Sequence, residues 1–114
     1  MAFSNLKKIV IDSSRVGGAT HSDFILLVSG VYATNPDLRT TGNGGGVENV
    51  NGYDIAFFSD EALTTPLDFE LVKYVASTGE IIFWVKVPSV SHSVNTEIYI
   101  AYGDSGITTN QSSP

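Results

Sequence analysis

The stretch that most constrains this chain runs from Asp68 to Gly103, DFELVKYVASTGEIIFWVKVPSVSHSVNTEIYIAYG. β-Branched and aromatic residues recur there at alternate positions on either side of a Ser/Thr/Gly break, the period of a strand pair. Ser77-Thr78-Gly79 reads as a three-residue hairpin loop, with Gly79 in the left-handed position that closes a bulge. That register pairs Ala76 with Glu80, Tyr74 with Ile82, Val72 with Trp84 and Glu70 with Lys86 on one face. The opposite face receives Val75 with Ile81, Lys73 with Phe83, Leu71 with Val85 and Phe69 with Val87. The second set is apolar apart from Lys73 and is expected in the core, Lys73 lying near a rim where its ammonium reaches water. On the first face Glu70 and Lys86 are expected to form an exposed pair beside an outward strip of Val72, Tyr74, Ile82 and Trp84.

The rest of the chain continues in short strands. Leu6 to Asp12 alternates, with Ile9 and Ile11 on one face and Lys8 and Val10 on the other. Val16-Gly17-Gly18 reads as a turn. Phe24 to Val28 (FILLV) is an unbroken apolar run, too short for a helix, and predicts a strand buried on both faces. Asn35-Pro36 marks a loop or a short edge, and Thr40 to Gly46 (TTGNGGG) a solvated, flexible loop. That glycine run has neither the following helix nor the Lys that a phosphate cradle needs. Tyr53 to Ser59 predicts a strand with Ile55 and Phe57 inward, and Ser59 to Leu63 one helical turn capped by Ser59 or Asp60. Pro88 is expected to end the second hairpin strand and open an eight-residue loop to Asn95. Glu97 to Tyr102 then places Ile98, Ile100 and Tyr102 on one face.

Short strands broken by Gly, Pro and Asn, without a helix of three turns, predict an all-β fold. The expected form is an antiparallel β-sandwich, jelly-roll-like, with at most one short helical turn. One domain accounts for the 114 residues, residues 1–104 forming the module and 105–114 a polar tail or a linker to a following domain.

Composition narrows function mainly by exclusion. There is no cysteine, so disulfides, thiolate metal sites and a Cys nucleophile are ruled out. The formal charge is −6 and the only adjacent basic pair is Lys7-Lys8, which disfavours nucleic acid and anionic membranes. No apolar run reaches spanning length, and the N-terminus MAFSNLKK carries no signal core. Charged residues make up only 16% of a Gly-, Ser- and Thr-rich chain, a balance suited to extracellular, cell-surface or virion β-proteins.

Candidate chemistry is sparse. His21 and His92 lie beside serines without an evident partner, and Ser22-Asp23 near His21 is too generic for a catalytic triad. Asp54, Asp60, Glu61 and Asp68 suit glycosidase carboxylates by type alone. Calcium is the cation that loop groups such as Asp60, Glu61 and Asp104 would suit, but no loop has the dense acidic spacing of a dedicated site, so no cofactor is expected. The chain is read as non-enzymatic.

Several segments together resemble a known family. Glu70, Tyr74, Ser77-Thr78-Gly79-Glu80, Trp84-Val85-Lys86-Val87-Pro88-Ser89, Ile98-Tyr99 and Tyr102-Gly103 resemble a bacterial and phage domain of unknown function. Its pattern has a Tyr, a short Gly turn, a "WVKVPS" strand and a strand ending in "YYG". Ile9 to Ser13, Ser22-Asp23-Phe24 and Gly52-Tyr53-Asp54-Ile55 resemble its earlier strands, although Ile25 stands where Pro is usual, Val72 where an acid is common and Ala101 where an aromatic is found. The resemblance implies a β-sandwich accessory module of the kind placed N-terminal to laminin-G or concanavalin-like lectin domains. The expected role is surface recognition, of carbohydrate or in adhesion, with Trp84, Tyr74, Val72 and Ile82 as ligand contacts and a glycan or cell-surface polymer as partner. The alternative is a structural decoration, assembly or spacer domain whose strip is covered by a neighbouring domain or subunit.

Overall fold

The computed structural model describes residues 3–12, 21–31, 37–91 and 93–109, for residues 21–23 the backbone alone. Among these residues six strands follow in order: β1 (Asn5–Ile11), β2 (His21–Val31), β3 (Ala56–Phe58), β4 (Phe69–Val75), β5 (Glu80–Val90) and β6 (Thr96–Tyr102). They form two antiparallel three-stranded sheets, β1-β6-β3 and β2-β5-β4. β1 pairs with β6 and β2 with β5, so first meets last and second meets last but one. This nested wrap is a jelly roll carried out with six strands. The one helical element among the described residues is a 3-10 turn at Thr41–Asn43. No helix among them is long and apolar enough to cross a membrane.

The alternation explains the core. Ile81, Phe83, Val85 and Val87 of β5 point inward and are buried, as the pattern predicts. They meet Ile98, Ile100 and Tyr102 of β6 and Phe57 of β3. Phe57 packs edge-to-face on Phe83 (centroids 5.0 Å apart) and on Phe69 of β4 (5.5 Å), and so joins the two sheets through three rings. Ile9 and Ile11 share a partly buried face, with Lys8 and Val10 exposed on the other.

Four expectations are corrected. β2 is not buried on both faces: Ile25 and Leu27 are 54% and 47% exposed, because β2 is an outer strand of a sheet with one face open. β5 does not stop at Pro88 but runs to Val90. Lys86 donates its amide to Asp68 O, so the position two residues on faces the same side; β4 pairs no further than Phe69 with Val85, and the missing N–H of Pro88 breaks no ladder there. Residues 59–63 make a lone hydrogen-bonded turn rather than a helical one, Leu63 donating its amide to Asp60 O (3.2 Å); the Asp60 carboxylate accepts the amides of Thr64 (3.0 Å) and Thr65 (2.9 Å) and the Thr64 hydroxyl, which closes a tight loop before Pro66. The strand expected at Tyr53 to Ser59 shortens to Ala56–Phe58, since Gly52 to Ile55 are taken up by a turn. The turn read at Val16-Gly17-Gly18 and the Asn35-Pro36 loop lie outside the described residues.

The glycine-rich loop is built rather than loose. Gly44 takes a left-handed φ of 91°, and the amides of Asn43 and Gly45 both reach Thr40 O at 2.9 Å. At Gly45 an added Cβ would come within 2.0 Å of Arg39 O, so only glycine lets the chain fold back this closely.

Candidate functional site

The hairpin places the candidate residues, and its register differs from the one the turn sequence suggests. The loop has four residues, Ala76 to Gly79, with Gly79 at φ 75° as expected and Val75 opposite Glu80. A bulge between Leu71 and Lys73 then adds one more residue to β4. Near the turn Tyr74 therefore faces Ile81 and Lys73 faces Ile82; beyond the bulge Leu71 faces Phe83 and Glu70 faces Trp84. The extra residue resets the alternation. Lys73 leaves the core face and pairs with Glu80 (3.2 Å), Val75 follows it outward, and Tyr74 turns inward.

The consequence for the strip is direct. Tyr74 is no longer part of it: its ring lies half-buried against the core and its hydroxyl donates to Leu38 O at 2.5 Å. Burial, and then the charges of Asp54 and Asp37, raise its phenol well above the ordinary tyrosine range. Val72, Ile82 and Trp84 stay outside, with Val72 53% and Trp84 41% exposed. Glu70 does not face Lys86; it stands across from Trp84, while Lys86 pairs with Ile25 of β2.

β2 supplies what the hairpin alone did not reveal. Leu27 lies directly across from Trp84, and Ile25 from Lys86, on the same outer face. The face therefore carries one exposed indole with Leu27 on one side, Glu70 on the other, and Ile82 and Lys86 before and after it along β5. The indole offers a flat apolar plane and an N–H, and Glu70 and Lys86 add an acceptor and a donor at its edge.

Two of the carboxylates proposed by residue type, Asp54 and Asp60, are spent elsewhere. Asp54 is fully buried and accepts four backbone amides, from Glu48 (2.7 Å), Asn49 (3.0 Å), Gly103 (3.1 Å) and Asp104 (3.2 Å). One side chain thus ties the loop before β3 to the end of β6. Asp37 is likewise buried and binds Arg39 through the guanidinium and the amide, at 2.5, 3.0 and 3.1 Å. The Arg39 hydrogen bonds hold its carboxyl below the usual range, and Arg39 is raised in return. Asp60 is lowered by the Thr64 hydroxyl and then by the Thr65 amide. Among the described residues no three His, Cys, Asp or Glu side chains gather as a metal site would require. His92 and the side chains of His21, Ser22 and Asp23 lie outside the described residues.

Several signature residues prove to be devices of the fold. Gly52, at φ 73°, lies against the Tyr74 ring, where a Cβ would come within 2.6 Å. Gly103, at φ 93°, closes on Gly46 O and accepts both the amide and the hydroxyl of Ser4 at its own carbonyl. Tyr102 is fully buried, which together with the charge of Asp37 pushes its phenol up to about 12. Sequence reasoning passed over this cluster, although Gly52-Tyr53-Asp54 was its visible trace. Trp84 is the large aromatic of the signature that packing leaves half in water.

The family described as a domain of unknown function (DUF2341) matches residues 51–114, more than half of the chain, and the chain belongs to it. No curated protein and no solved structure matches the chain.

Proposed function

We propose that this family member is a non-catalytic recognition module of a larger extracellular, cell-surface or virion protein, and that the outer face of the β2-β5-β4 sheet binds carbohydrate. The observation that carries this is Trp84, 41% exposed at the middle of β5 with Glu70 and Lys86 at its edge. A pyranose stacks its C–H face on such a plane and directs its hydroxyls to the charged groups around it. The placement of Asp54, Asp37 and Asp60, each committed to hydrogen bonds that hold loops in place, supports a binding rather than a hydrolytic role. The resemblance to modules that accompany lectin domains agrees with it.

The test is a glycan array followed by affinity electrophoresis of the parent and Trp84→Ala. Retained folding with at least about a tenfold loss of affinity, some 1.4 kcal/mol, is the expected result. A folded parent that retains no glycan overturns the proposal.

The aliphatic neighbours Ile25, Leu27 and Val72 favour a second reading, in which a neighbouring domain or a second subunit covers the face and the module is structural. Light scattering separates the two: a dimer that Leu27→Asp dissociates supports the structural role, and a monomer insensitive to that change opposes it.

A further inference from the structure

Trp84 does not stand at the end of its row. Along the outer side of β5 it is followed by Lys86 and then Pro88, all three exposed. At about 3.3 Å per residue, Trp84 and Pro88 lie roughly 13 Å apart. Beside this row the chain entering β4 runs antiparallel, with Glu70 across from Trp84 and Asp68 O accepting the Lys86 amide at 2.9 Å. Where the two rows separate, Pro66, Leu67, Asp68, Lys86 and Pro88 line an open groove of about 220 Å³. That is below the roughly 300–1,000 Å³ of a self-sufficient small-molecule pocket, so the groove suits one part of a longer ligand.

We propose that this groove is a second sugar subsite continuous with Trp84, and that the two together select a neutral polysaccharide engaged over consecutive ring units. This rests on the reading of Trp84 as a carbohydrate platform. Two prolines give the groove stiff walls whose backbone loses little entropy when a ligand settles between them. Lys86 offers N–H donors and Asp68 offers acceptors on opposite sides, the complement of a ring's neighbouring hydroxyls. Charge sets the class of polymer. The chain carries a net −6, and Asp68 and Glu70 both border the track, so a polyanion meets repulsion that a neutral chain does not.

Calorimetry with cello-, laminari- and xylo-oligosaccharides of one to six units, and with polygalacturonate as the anionic comparison, tests this on the full chain. The parent should bind at least one neutral series with affinity rising about tenfold or more between one unit and three. Asp68→Asn and Pro88→Ala, both at exposed positions in the groove and neither beside Trp84, should keep the fold and the single-unit affinity but lose that rise. An affinity independent of length, a rise kept in both variants, or tighter binding of polygalacturonate overturns the subsite while leaving the Trp84 platform in place. If no oligosaccharide binds the folded parent, or binding is indifferent to Trp84→Ala, the platform itself fails and the groove with it.

Discussion

The two sheets of this sandwich have the same number of strands and very different outer faces. On β1-β6-β3, Ala56, Phe58, Tyr99 and Ala101 point away from the centre of the sandwich yet are buried. Phe3 packs edge-to-face on Phe58 at 5.8 Å, and the loop after β3 turns back so that Phe58 bridges to Pro66. On β2-β5-β4, Ile25, Leu27, Val72 and Trp84 point outward and remain between 41% and 54% exposed. Of the apolar residues on the first face, those of β3 and β6 are accounted for by folding, while Leu6 and Val10 of its edge strand β1 stay 40% and 50% exposed. Those on the second face are not accounted for by folding, and a surface that holds such groups in water without structural return is a surface kept for contact. The open apolar surface around an aromatic ring is thus on the second sheet, where the proposed binding face lies.

The comparison breaks most readily at its covered side. Phe58→Ala should cost about 3–5 kcal/mol in a urea unfolding experiment, the usual range for removing a buried ring. A loss as small as that of a surface substitution would mean that Phe3 and the 59–66 loop do not seal this face. Asp54→Ala should follow closely, at about 3 kcal/mol, because four amides that now share one carboxylate would be left to find water at the end of the sandwich. Asp54→Asn should recover part of that loss, since its single carbonyl oxygen still accepts.

Much of this was legible in the sequence, and the failures share a cause. The inward set of β5 and the faces of β1 and β6 follow from alternation alone, and alternation held wherever strands are regular. It failed at Val72, where a bulge adds a residue that no periodicity announces. The trace is the one charged residue on an otherwise apolar face: Lys73, expected at a rim, marks the register change. FILLV misled for another reason. An apolar run signals burial on both faces only if something covers both, and nothing in the run itself says that β2 would border an open face. Asp54 suits a catalytic acid by type alone, and its four amide donors leave no local mark in the sequence because they come from residues 5 to 50 positions away.

Tyr74 sharpens the comparison, since the bulge is what moves it from the open face to the covered interior. Gly52→Ala should cost about 1–3 kcal/mol, because its positive φ and the Tyr74 ring both exclude a Cβ. Were Tyr74 outward, the same change would cost only its backbone part. Alkaline titration gives an independent check. Tyr102 is raised to about 12 and Tyr74 is raised in the same sense, so folding favours their neutral phenols over an unfolded value near 10. The contribution of Tyr102 is full below pH 10 and is lost as the pH rises from there through about 12, and that of Tyr74 is lost in the same sense. Tyr74 and Tyr102 should therefore ionise late or only with unfolding, seen as a lag between phenolate absorbance and the calculated free-phenol curve. Phenylalanine at position 74 should remove one of the two and cost about 0.5–1.5 kcal/mol for the lost bond to Leu38 O.

The smallest expected effect is the one most informative about the open face. Leu27→Ser and Ile25→Ser each remove an aliphatic group that is about half in water, and neither leaves a cavity between the sheets. Unfolding midpoints in urea should move by no more than about 0.5 kcal/mol, the range of surface substitutions. A loss approaching that of Phe58→Ala would place a cover over this face, and the unfolding midpoint would then depend on protein concentration if the cover is a second copy. A midpoint that stays put at every concentration leaves Leu27 and Ile25 with no part in holding the fold, and makes any loss of ligand in their variants a loss of contact alone.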